Sequence, residues 1–319
     1  MAKQIKNPPF SDEKVVRVSV RVDVLDVLMN ATAALVTGSA VMLAETLQGI
    51  SDLISDSLIY VGIRRSKKKP TKKHPFGYGR ELYIWSLFAT IIMFLVLASL
   101  SFYFGFQRFG NPEPIERIGL AYIILIISLI SNGYSFSLSA RRLLFGRPFW
   151  KIKQALTRST FLETKITFTS DLLGTLAALL GLIALVLFQQ TGALWFDGLG
   201  AMAIGLLMAF FSFWLFKHVK DFMVGISAPN ETKEKIRKAV SQVKGIEKVL
   251  DLKAIIIGSN RLLVHLDIHV RPGLLTGEIE ELIDQAEENI KKQVPSAQYI
   301  QVELETPKII MSSRPQNIG

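Results

Sequence analysis

No cysteine occurs among the 319 residues, so neither a disulfide nor a thiolate metal ligand is available. The motifs of enzymes are missing as well. There is no nucleophile–base pair, no glycine-rich phosphate loop and no metalloprotease helix motif. A paired carboxylate could do acid–base work, but no second constellation is present to hold an organic substrate. Acidic residues are outnumbered, 27 against 37 basic, and charge of either sign is absent from Leu82 to Phe106.

Half of the residues are hydrophobic, which is too apolar for an ordinary soluble domain. The net charge of +10 is not spread evenly: lysines and arginines cluster beside apolar runs. That distribution points to membrane topology, not to a nucleic-acid partner.

A helix needs about 20 apolar residues to cross a bilayer. Leu82 to Phe106, Ile118 to Ala140, Ile166 to Phe188 and Ala193 to Phe216 meet this standard. Ser39 to Ile63 and Val22 to Thr37 are weaker, because the first carries Glu45, Gln48, Asp52 and Asp56 and the second Asp23 and Asp26. The expectation is six spans. Basic residues crowd the loops after the second span (Arg64, Arg65 and Lys67 to Lys73) and the fourth (Arg141 to Arg158). The positive-inside rule puts those loops in the cytoplasm, and six spans then put both termini there. Met1 to Val16 lacks the apolar core of a cleavable signal, so the first helix is expected to act as an uncleaved insertion signal.

From about Asn230 the pattern changes to helix, strand, strand, helix, strand: Glu231 to Val243, Val249 to Ile257, Arg261 to Val270, Glu278 to Val294 and Tyr299 to Glu305. This order suits a small open sheet with helices on one face. The expected organisation is a cytoplasmic segment 1–14, a six-span domain 15–224, a cytoplasmic domain 225–308 and a disordered tail 309–319.

Two acids stand inside the apolar runs. Asp52 follows Gln48 by four residues, and Asp171 follows Thr167 by four. Positions i and i+4 share a helix face. An acid at mid-membrane costs roughly 2.5–3.5 kcal/mol on insertion scales, so such acids tend to be functional. If the two faces meet, an amide oxygen, a hydroxyl and two carboxylates converge on a tetrahedral-capable site of charge −2, suited to a divalent cation. Structural acids bonded to Ser, Thr or a basic partner are the bland alternative. Glu45 and Glu163 read as residues of the cavity mouths or of the local polar network, and Asp56 as an alternative partner of Asp52.

The segment Gly38 to Asp52 resembles the second-span signature of the cation diffusion facilitator (cation efflux) family, and His74-Pro75-Phe76-Gly77-Tyr78-Gly79-Arg80-Glu81 resembles its loop signature. The resemblance covers nearly the whole chain. It implies six transmembrane helices with a cytoplasmic ferredoxin-like α-β-β-α-β domain. It further implies a homodimeric antiporter of the cell membrane, not an enzyme, that exports a divalent metal in exchange for protons by alternating access, with no cofactor beyond the cargo. The family's transport site falls on Gln48, Asp52, Thr167 and Asp171. Zinc exporters of the family usually have histidine at one or both of the Gln48 and Thr167 positions. Oxygen donors favour manganese or iron over zinc here, and the coupling proton must be carried by the aspartates. A regulatory metal site is implied at His265 and Glu305, although Leu250 stands where a histidine ligand is common. Asp267, His269 and Glu303 lie nearby, and a solvated face is the bland reading of all five. His74 alone among lysines does not suggest an auxiliary site, and His218 reads as an interfacial anchor. A metal-sensing or scaffold homologue that moves nothing is the alternative function.

Overall fold

The computed structural model describes residues 12–144, 148–152, 155–156 and 162–306. These separate into two compact units, one ending at Val224 and one beginning at Gly225. The expected tail and most of the expected N-terminal segment lie outside the described residues.

Among the described residues, the first unit holds six long helices: α1 (Asp12–Thr37), α2 (Ala40–Ser66), α3 (Glu81–Gly110), α4 (Ile118–Leu144), α5 (Leu162–Thr191) and α6 (Trp195–Val224). Of these, α3, α4, α5 and α6 are long and apolar enough to cross a membrane. Their large side chains, such as Leu95, Phe106, Ile130, Leu206 and Phe210, point outward. A helix apolar on its outside suits lipid as its solvent. The acids of α1 and α2 keep those two helices below the same standard.

α2 is the hub of this unit and touches α1, α3, α5 and α6. The turn that leads into it is dictated locally. Gly38 takes φ +64°, a conformation open to glycine, and ends α1. Ser39 then caps α2, its hydroxyl accepting from the Met42 amide.

α3 and α6 meet without a layer of side chains between them. A Cβ on Gly198 would stand 2.4 Å from the Phe109 nitrogen, one on Gly105 2.6 Å from the Met202 nitrogen, and one on Gly205 2.7 Å from the Phe102 nitrogen. Ser212 Oγ donates to the Thr90 carbonyl at 2.6 Å and Ser101 Oγ to the Ala201 carbonyl at 3.1 Å. Small residues and hydroxyls at such a seam replace the hydrophobic driving force that lipid removes. α3 also contains one π-helical stretch, Met93–Ala98.

The second unit runs α7 (Asn230–Ser241), β1 (Ile246–Gly258), β2 (Arg261–Val270), α8 (Thr276–Gln293) and β3 (Ala297–Leu304). The sheet order is β1-β2-β3, with β1 and β2 antiparallel and β2 and β3 parallel. Ser259 and Asn260 link the hairpin, with Asn260 at φ +51°, a conformation asparagine tolerates. Along β2, Leu262, Val264, Leu266 and Ile268 are buried, and Leu263, His265, Asp267 and His269 are partly open. The apolar stripes of α7 (Ile236, Ala239, Val240) and α8 (Leu282, Ala286, Ile290) complete the core. The helices pack against β1 and β3 and against each other.

Candidate functional site

α1, α2, α4 and α5 surround a cavity of about 90 Å³. Asp52 of α2 and Thr167 and Asp171 of α5 all line it, so the two sequence-predicted faces do meet. Gln48 does not line it. Its side chain is buried and its Nε2 donates to Asp52 Oδ2 at 2.5 Å. Gln48 therefore reaches the cavity through Asp52.

Three further acids join them. Asp23 and Asp26 come from α1 and Asp56 from α2. Five carboxylates thus line one small space, and none of the residues lining it is basic. Sequence reasoning expected a charge of −2 and missed Asp23 and Asp26, treating them only as a weakness of the first span. The signal was present: two acids at i, i+3 share a helix face just as an i, i+4 pair does.

Two of the carboxylate oxygens, Asp52 Oδ1 and Asp23 Oδ2, are shielded from solvent and have no hydrogen-bond partner. A buried oxygen left unpaired costs free energy, more so when charged. Asp26 is better supplied: it accepts from Ser128 Oγ and from Asn30 Nδ2, each at 3.0 Å. Two glycines make the geometry possible. A Cβ on Gly49 would lie 3.3 Å from Asp26 Oδ2, and one on Gly174 3.1 Å from the amide carbon of Asn132, a cavity residue of α4.

The other acids of the helices have different surroundings. Glu45 is 1% exposed, deep in the bundle. Asp197, at the start of α6, is fully buried. It accepts from Ser39 Oγ at 2.6 Å, from the Ala40 amide at 2.8 Å and from the Val41 amide at 3.0 Å, and pairs with Arg108 Nε at 3.1 Å. It satisfies the start of α2, where free N–H groups favour a negative charge. The helix α5 begins earlier than the sequence suggests, and so takes in Lys165. This side chain is 2% exposed, with Nζ 5.0 Å from the centre of the Phe222 ring, a cation–π distance.

In the second unit, His265 Nε2 lies 3.2 Å from Asp267 Oδ1 and 3.8 Å from Glu303 Oε2. One ligand atom from each of these residues can be chosen so that all lie within 4.8 Å of one another. Glu305, expected as the partner of His265, falls after the end of β3, and its backbone carbonyl faces His269 Nδ1 at 3.1 Å. The reason is register: His265 pairs with Gln301 across β2 and β3, and Asp267 with Glu303. On the outer edge, Lys253 lies 3.1 Å from Asp251 and holds its carboxyl below the usual range.

Comparison with known proteins gives two family matches. Residues 16–221 match the cation efflux transmembrane domain, and residues 228–306 match the cation efflux protein cytoplasmic domain. The human mitochondrial proton-coupled zinc antiporter SLC30A9 is 27% identical over 254 residues, 78% of this chain and 44% of its own length. The manganese efflux system protein MneS of Bacillus subtilis is 25% identical over 266 residues, 80% of this chain and 82% of its own. The chain thus spans less than half the length of the human relative. A solved nickel form of the MamM CTD is 18% identical, with a TM-score of 0.23, over 24% of this chain and 98% of that one.

Proposed function

Because the chain belongs to the cation efflux family, a family of transporters, we propose that it exports a divalent metal cation from the cytoplasm in exchange for protons. The observation that carries this reading is the cavity: five carboxylates, no basic residue, and two buried carboxylate oxygens without partners. Such a space repels its own walls until a cation enters. Asp52, Thr167 and Asp171 hold the cargo, and Gln48 orients Asp52 from behind. Oxygen donors suit manganese or ferrous iron better than zinc. Release of the metal leaves the aspartates to take protons, which returns an emptied site without a large net charge in lipid.

In this reading α1 and α2 cross the membrane with the four apolar helices, since acids turned to an inner cavity need not meet lipid. Both termini and the 225–308 domain then lie in the cytoplasm of a cell-membrane homodimer. His265, Asp267 and Glu303 form a second, regulatory metal site in that domain, with Glu305 at its margin.

The test is flux in proteoliposomes carrying a metal-sensitive dye, with manganese, iron, cobalt, zinc, cadmium and magnesium supplied in turn. Metal-dependent flux by the wild type, lost in Asp52→Asn and in Asp171→Asn, is the expected result. Flux that survives both substitutions overturns the site, and no flux with any ion favours a metal sensor.

A further inference from the structure

The segment joining α2 to α3 is strongly one-signed. No acid occurs between Asp56 and Glu81, while most of positions 64–73 are lysine or arginine. Some of this charge is spent locally. Arg65 lies 5.1 Å from the Trp85 ring centre and 3.9 Å from Glu81, and Lys68 Nζ lies 5.8 Å from the Tyr78 ring centre. Arg64, Lys69, Lys72 and Lys73 are exposed, and none of them pairs with an acid among the described residues.

The loop is folded, not merely charged. Thr71 and His74 exchange both backbone hydrogen bonds, at 3.1 and 3.0 Å, which sets Lys72 and Lys73 at the tip of a two-residue turn. Tyr78 braces this turn: its hydroxyl is 3.3 Å from Thr71 Oγ1 and its ring 4.6 Å from the His74 ring. Gly77, at φ +78°, lets the chain fold back beneath it. Phe76, beside the turn, is 53% exposed. The segment runs directly into Glu81, the first residue of a helix long and apolar enough to span a bilayer. A flexible solvated loop would need neither the closed turn nor an aromatic side chain held half in solvent.

We propose that this loop docks on anionic phospholipid headgroups of the leaflet it borders, Lys72 and Lys73 meeting headgroup phosphates and Phe76 entering the interface beside them. Basic residues next to a spanning helix are drawn to anionic lipid, and salt screens that attraction. Lipid docking by this loop is independent of which ion the cavity takes, and of whether it moves one.

The 319-residue protein in detergent, offered phosphatidylglycerol and phosphatidylcholine together and read by native mass spectrometry, tests it. The wild type is expected to retain the anionic lipid selectively, and K72Q/K73Q to retain it at least about tenfold less well. K72R/K73R should keep the preference, and raised salt should weaken it. No selectivity in the wild type, or equal retention by K72Q/K73Q, would leave the basic loop with orientation as its sole role and overturn the proposal. Glycerol phosphate binding the wild type as tightly as the lipid would also overturn it, in favour of a free-phosphate site.

Discussion

Gln48 and Asp52, one turn apart on α2, are joined by a hydrogen bond of 2.5 Å from the Gln48 amide nitrogen to Asp52 Oδ2. The bond occupies one oxygen of the aspartate and leaves the other, Oδ1, unpartnered. Gln48 thus fixes the rotamer of the acid beside it, which a ligand acting alone would not do. Gln48→Ala should raise the KM for the metal more than it lowers the maximal flux, because Asp52 keeps its charge but loses its orientation. Concentration-dependent flux in proteoliposomes separates the two effects. Equal losses in both would assign Gln48 a different role.

Thr167→His brings an imidazole to the cavity that Asp52 also lines. Nitrogen donors favour zinc, and oxygen donors favour harder ions. Competition between zinc and manganese in the flux assay should shift toward zinc, by at least about tenfold on the affinity scale of such ligand exchanges. An unchanged preference would remove Thr167 from the site.

The proposed proton exchange requires that metal entry and luminal pH move together. With a pH dye in place of the metal dye, manganese uptake by inward-facing protein should alkalinise the lumen, and Asp171→Asn should abolish the change. Uptake with no pH change would exclude coupling.

Gly198 and Gly133 make a paired test of the α3–α6 seam. A Cβ on Gly198 meets the backbone of Phe109, whereas one on Gly133 in α4 meets nothing within 4 Å. Helix propensity favours alanine over glycine by about 0.5–1 kcal/mol. Gly133→Ala should therefore be neutral or stabilising. Gly198→Ala should lose about 1–3 kcal/mol, because overpacking against backbone outweighs that gain. Thermal unfolding in detergent reads both.

Asp197→Ala removes the carboxylate that serves three groups at the start of α2 and one on Arg108. Loss of one partner from a buried pair costs about 3–5 kcal/mol. Arg108 keeps the Gly38 carbonyl, at 2.9 Å, and Glu113, so the lower end of that range is expected. A fall in the unfolding midpoint with metal binding retained would mark Asp197 as structural. A mutant of wild-type stability would contradict the geometry.

Periodicity and apolar run length were enough to anticipate six helices and the α-β-β-α-β order, because burial in lipid or in a single-faced core leaves a direct imprint on residue type. Asp52 and Asp171 were visible for the same reason, as charges in the wrong solvent. Asp23 and Asp26 were passed over because they stand where the apolar run begins, although the helix itself starts at Asp12 and carries them mid-length; an acid at the edge of an apolar run is ordinary until a neighbouring helix turns it inward, and Gly49 permits that approach. Glu303, rather than Glu305, approaches His265 because of strand register, which alternation within one strand cannot reveal. Asp197 and Lys165 depended on contacts far apart in the chain.

The glycine seam between α3 and α6 has a mechanical consequence. Backbone meets backbone there, so a change of tilt between α3 and α6 would drive main-chain atoms into one another. These two helices therefore behave as one beam. Any rocking that opens the acidic cavity to alternate sides must be hinged elsewhere, where α1, α2, α4 and α5 meet through side chains, and a cross-link along the seam should leave transport intact while one between α2 and α5 stops it.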